Sequence, residues 1–276
     1  MASTSASLQI ILPLIQELEK AYPNDHWILT ASRIRKSYYR GFFWRVLMLR
    51  SLFLKVPNAQ TGISAQTLKQ LQQGQLIFQD TQDNSIDLRH ACAVIESLAS
   101  PRFHHVLRVI TGLSIPAVIS WSGDVGSVLT EYALTQGKYG DLKSYYRKFA
   151  NPCDLFGDID GYGLYSLGKG YRRAQLSDKL QEFYGQNLER RFDQFIQAAE
   201  LTVTVQNDRR QLSLEAKQEV QRQISRFVFW VVLWKMMRRS PNKVGGIIQF
   251  FTHRPYAQRD VYQVSQWFIQ WINEKL

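Results

Sequence analysis

The sequence predicts a mainly α fold: a single helical domain over residues 1–276, with an irregular region at 111–170 and one or two short strands. Three observations lead there. Apolar residues recur at helical spacing along much of the chain. Alternating, strand-like stretches are few and short. At 276 residues, with 45% hydrophobic and 21% charged side chains, the chain can bury a sizeable core and is neither a disordered tail nor a fibre.

The elements follow in order. Leu8–Tyr22 places Ile10, Ile11, Leu14, Ile15 and Leu18 on a broad apolar face, with Pro13 at a start or a kink. Pro23-Asn24-Asp25 stops it. Residues 27–55 read as one long helix or two, broken near Gly41. Ser64–Gln73 fits a short helix, and Leu76-Ile77-Phe78 a small strand. Asp80–Asp83 forms a polar turn. Asp87–Leu98 reads as a helix with Leu88, Ala91, Val94, Ile95 and Leu98 inward. Glycines, prolines and aromatics punctuate 111–170, which gives that stretch the character of a functional loop. Helices are expected again at 174–199, 212–237 and 256–276. Leu201–Val205 alternates as a strand does.

The formal net charge is +11, and it is unevenly spread. Residues 26–79 and 220–259 contain no Asp or Glu, yet together hold 16 of the 34 basic side chains. The remainder is slightly acidic. Such asymmetry points to an anionic partner: a polymer, a nucleic acid or a lipid surface. Two apolar runs, Gly41–Val56 and Phe227–Met237, fit core or membrane-surface helices better than spans. The first is interrupted by Arg45 and Arg50, and the second is too short. The N-terminus does not read as a secretory signal. These features favour a cytoplasmic protein with no transmembrane span, able to associate peripherally with a membrane.

Three polar segments carry candidate chemistry. In Asp87-Leu88-Arg89-His90, the carboxylate could orient the imidazole, share a metal with it, or simply cap the helix. In Trp121-Ser122-Gly123-Asp124, Asp124 could hold a metal or position water, or cap a helix in its turn. In Asp154-Leu155-Phe156-Gly157-Asp158-Ile159-Asp160-Gly161, the carboxylates of Asp158 and Asp160 would share a side of an extended chain or converge around a turn, which suits Mg²⁺ or Ca²⁺. The segment is no EF-hand, because Tyr162 and Lys169 stand at its fifth and twelfth positions.

A pocket assembled from these segments assigns His90, Asp87 and Asp124 to catalysis and Asp158, Asp160 and Asp124 to metal. It would make the protein a metal-assisted hydrolase, ahead of a glycosidase built on paired acids. The alternatives are a protein- or membrane-interaction module with basic amphipathic helices, and a nucleic-acid-binding protein. The histidines His104, His105 and His253 are weaker candidates. Cys92 reads as buried, and Cys153 as the more exposed of the two cysteines. No P-loop, Rossmann fingerprint, HExxH helix or nucleophile elbow is present.

Overall fold

A computed structural model of the chain describes residues 6–38, 64, 66–67, 69–70, 76–99, 129, 132, 141–149, 152–168, 175–239, 242, 244–245, 247–248, 251 and 258–276. Of the described residues, 76% are helical, and the strands form only two two-stranded sheets. The fold is therefore mainly α. In chain order the elements are α1 (Ala6–Ala21), α2 (Trp27–Tyr38), β1 (Ile77–Gln79), β2 (Ser85–Asp87), α3 (Leu88–Leu98), α4 (Leu142–Phe149), α5 (Pro152–Gly168), α6 (Leu176–Tyr184), α7 (Leu188–Ala198), β3 (Val203–Gln206), β4 (Arg209–Leu212), α8 (Leu214–Arg239) and α9 (Gln258–Lys275). The stretch 1–276 divides into two compact units. One comprises Met1–Val106 and Pro152–Ala199, the other Leu107–Asn151 and Glu200–Leu276.

In the first unit, α1 buries Leu8, Ile11, Leu12, Ile15 and Leu18. Ile10, placed inward by the sequence pattern, is exposed, because the stripe is centred about one residue away. Glu19 closes a helix on which it does not lie. Its carboxylate accepts the backbone N–H groups of Leu176 and Ser177 at 2.5 and 3.1 Å, and the Ser177 hydroxyl at 2.6 Å. A negative charge at the start of α6 satisfies orphan donors and complements the helix dipole. β1 and β2 pair antiparallel, Phe78 opposite Ile86, across a turn held by Asp80, whose Oδ1 accepts from the backbone of Gln82 and Asn84. The polar turn and the small strand thus stand where the sequence places them.

The centre of this unit is α5 on α3. The sequence treats 152–168 as part of an irregular region, yet it is a 17-residue helix opening on Pro152, with Asp154 in its first turn. Both are favourable helix starts. Its glycines serve packing rather than turns. A Cβ added at Gly157 would overlap the Asp87 carbonyl oxygen and lie 2.9 Å from His90 Cβ. One added at Gly161 would lie 2.7 Å from Val94 Cβ and 2.8 Å from the Ala91 carbonyl oxygen. Two glycines one helical turn apart therefore seat the two helices at near backbone contact. That proximity outweighs the cost of about 1 kcal/mol that each glycine brings to a helix interior.

In the second unit, β3 and β4 form a hairpin in the register Val203 opposite Leu212. Asn207 and Asp208 turn it with φ of 51° and 57°, the left-handed pair that a two-residue hairpin requires. The strand read in Leu201–Val205 thus has a partner. The Ser213 side chain caps α8 through the Ala216 N–H at 3.1 Å. α8 buries Ala216, Val220, Ile224, Val228, Val232 and Met236, one residue per turn, and α9 packs on it through Val261, Val264, Phe268, Ile269 and Ile272. Tyr146 of α4 meets Trp267 of α9 at 4.8 Å between ring centroids.

The close approach yields a test that helix propensity alone would fail. Gly157→Ala should destabilise the protein by about 2 kcal/mol through overpacking, whereas propensity alone predicts about 1 kcal/mol of stabilisation. Urea unfolding monitored by circular dichroism distinguishes the two signs.

Candidate active site

The approach of α5 to α3 creates the site. His90 stands on the first turn of α3. Its Nδ1 is 3.2 Å from Oδ1 of Asp158 on α5, and its Nε2 is 3.7 Å from Oδ1 of Asp154, one turn earlier on the same helix. Asp158 is fully buried, while His90 and Asp154 are partly accessible. An ionised carboxylate can only accept a hydrogen bond. With Asp158 ionised, this contact would put the imidazole proton on Nδ1 and leave the Nε2 lone pair towards Asp154.

Asp87 completes the group. It ends β2, and its Oδ1 accepts the Arg89 N–H at 2.8 Å, so it caps α3 as one sequence expectation holds. It also belongs to the cluster: one ligand atom each from Asp87, His90 and Asp154 lie within 4.8 Å of one another. These three partly accessible side chains form a His/Asp group that could hold a metal ion. Burial, opposed by His90 and reinforced by Asp87, pushes the Asp154 carboxyl above its ordinary range.

The other expected ligands are placed differently. Asp160 is two residues from Asp158, which on a helix turns it about 200° away. The extended or turned geometry that would pair them does not arise, because 152–168 is helical. Asp160 instead faces Arg191 of α7 at 3.6 Å and the Tyr184 hydroxyl. Arg191 also pairs with Asp80. Asp80, Asp160 and Arg191 are all buried, so this is an internal charge network apart from the His90 cluster. Asp124, His104, His105 and His253 lie outside the described residues, as does Gly41–Val56.

No family model, curated protein or solved structure matches this chain. The geometry therefore carries the functional argument by itself.

Asp154 opens the third candidate segment, but the sequence reading gave it no role. The signal was available: Asp154 and Asp158 are four apart, the spacing that stacks two side chains on one helical face. Both cysteines are buried and neither forms a disulfide. Burial drives the Cys92 thiol far above its ordinary range, which removes it as a nucleophile at neutral pH. Cys153 is the more exposed of the two, as expected, but only at 6% against 0% for Cys92.

The Asp160 network makes a pH prediction. Burial raises its carboxyl from 3.8 to about 6, against the opposing pull of Arg191. Between those values the folded chain holds a proton that the unfolded chain has released. This group's contribution therefore favours folding as pH falls through 6 towards 3.8, and is lost as pH rises again. In Asp160→Asn that component should vanish. Thermal unfolding of wild type and variant from pH 4 to pH 8 should show their difference in melting temperature changing across this window (about 4 to 6) and levelling above it.

Proposed function

We propose that the first unit carries a metal-assisted hydrolytic site, with Asp87, His90 and Asp154 as ligands of one divalent cation and Asp158 as the residue that orients His90. The observation that carries the reading is the double engagement of His90. A fully buried carboxylate meets Nδ1, Nε2 faces the Asp154 carboxylate, and Asp87 belongs to the same cluster. Metal-binding histidines are commonly fixed through their second nitrogen in this way, which sets both the tautomer and the ring orientation.

The donor set refines the choice of ion. An all-carboxylate site at Asp158 and Asp160 would suit Mg²⁺ or Ca²⁺. One imidazole with two carboxylates suits Zn²⁺ or Mn²⁺ better. Three protein ligands leave a coordination position for water, and a bound cation brings the pKa of that water towards neutrality. Asp154 would have an oxygen free to accept its proton, whereas the Asp87 Oδ1 already accepts the Arg89 N–H. An ion held by Asp87, His90 and Asp154 would supply activation of water for attack on an ester, amide or phosphoester centre.

Two measurements test this. Isothermal titration of the full chain with Zn²⁺ and Mn²⁺ should give one site, and His90→Gln or Asp154→Asn should each abolish it. Asp158→Asn, which leaves all three ligands in place, should weaken it about 10- to 100-fold. A wild-type chain that is folded but takes up neither ion sinks the metal reading. With p-nitrophenyl acetate, p-nitrophenyl phosphate and bis(p-nitrophenyl) phosphate as probes, turnover should require the ion and stop on chelation. Binding without turnover on any of these would leave a metal site and reject hydrolysis of those three bond types.

A further inference from the structure

The second unit carries an open groove of about 900 Å³, bordered by the β3–β4 hairpin, the start of α8 and the C-terminal half of α9. Its charged lining is Arg209, Arg210 and Lys217 against the acid Glu274. Among the described residues, Ile269 is the sole apolar side chain on its wall, and no aromatic ring lines it. The remaining wall is made of amide side chains.

Hydrogen bonds within the groove separate its donors from its acceptors. Lys217 Nζ donates to Gln211 Oε1 at 3.1 Å, and Gln211 Nε2 donates onward to Gln206 Oε1 at 2.7 Å. Asn273 Oδ1 accepts the Leu212 N–H at 2.9 Å, and Glu274 Oε1 accepts from Gln270 Nε2 at 2.9 Å. Each of these oxygens is already engaged. What is left over is donors: Gln206 Nε2, Asn273 Nδ2 and the other protons of Lys217. Arg209 is exposed and adds a guanidinium that is in no ion pair among the described residues. A groove with spare donors and an excess of positive charge complements an acceptor-rich anion. Arg, Lys, Asn and Gln are the side chains that meet phosphate and sugar oxygens in nucleic-acid complexes. A bilayer would require an apolar face, which this groove lacks. Because the groove is open, a backbone lying in it can continue past it.

We propose that this groove binds the sugar–phosphate backbone of a single nucleic-acid strand without reading its bases. Arg209 and Lys217 meet phosphates, and the Gln206 and Asn273 amides donate to phosphate or sugar oxygens. The proposal is independent of the His90 site.

Fluorescence anisotropy of the full chain with short labelled oligo(U) and oligo(A) tests it. The two should bind within about twofold of each other, because nothing in the groove stacks a base. Arg209→Gln with Lys217→Gln should weaken both about tenfold. It should also lower the slope of log affinity against log salt by about 1.4, at roughly 0.7 per phosphate contact on a single strand. Arg190→Gln with Lys69→Gln removes the same charge from exposed positions of the first unit and should leave that slope unchanged. Asn273→Asp keeps the oxygen that holds Leu212 but replaces a donor with an anion. It should weaken binding about tenfold with an unaltered circular dichroism spectrum. Failure of wild type to bind at low salt overturns the proposal. So does an equal loss in the two double variants, which would mark attraction by overall charge alone. A tenfold preference for one base, or inorganic triphosphate displacing oligo(U) as well as unlabelled oligo(U) does, rejects a site for the backbone of a strand.

Discussion

Gly157 and Gly161 allow α5 to lie almost on the backbone of α3, and the chemistry of the first unit depends on that contact. A β-carbon at either position would push the helices apart. Separation by even an ångström would take His90 out of hydrogen-bonding range of Asp158. Burying a carboxylate is expensive unless a partner meets it. The glycines thus govern electrostatics as well as packing, since they decide whether the buried aspartate finds its histidine.

The two units resolve the burial problem in opposite ways. Among the described residues, the buried charged side chains, including Glu19, Arg35, Asp80, Glu96, Asp158, Asp160 and Arg191, all lie in the first unit. They are compensated across elements: Arg35 with Glu96, Arg191 with Asp80 and Asp160, and Glu19 with the start of α6. The buried polar residues of the second unit are the uncharged Ser213, Gln223 and Ser265. A core stitched by ion pairs tolerates little displacement, because moving one partner strands the other. A core of aliphatic layers is more forgiving. The candidate chemistry sits in the stricter of the two.

Much of the architecture was legible from periodicity. The helices around residues 8–22, 87–98, 212–237 and 256–276 declared themselves through spaced apolar residues, and the strand at Leu201–Val205 through its alternation, but its partner strand and the turn at Asn207-Asp208 did not. Residues 152–168 did not. Four glycines and three aspartates in 17 residues resemble a cation-binding turn. The evidence for a helix, a proline at its first position and an acid in its first turn, is quieter than that resemblance. Reading the segment as a loop paired Asp158 with Asp160, whereas the helical period pairs Asp154 with Asp158. The partnership with His90 spans 68 residues and depends on how two helices dock, which local pattern cannot encode.

The reach of Glu19 across to Leu176 and Ser177 has a consequence for synthesis. The first unit is assembled from two stretches of chain separated by about 45 residues that belong to the second. On the ribosome, α1, α2 and α3 emerge well before α5, α6 and α7, so their apolar stripes and unmatched charges must wait for the rest to be translated. Such discontinuous units close late and expose adhesive intermediates meanwhile. Slower translation after residue 106 would lengthen the period in which those stripes stay uncovered.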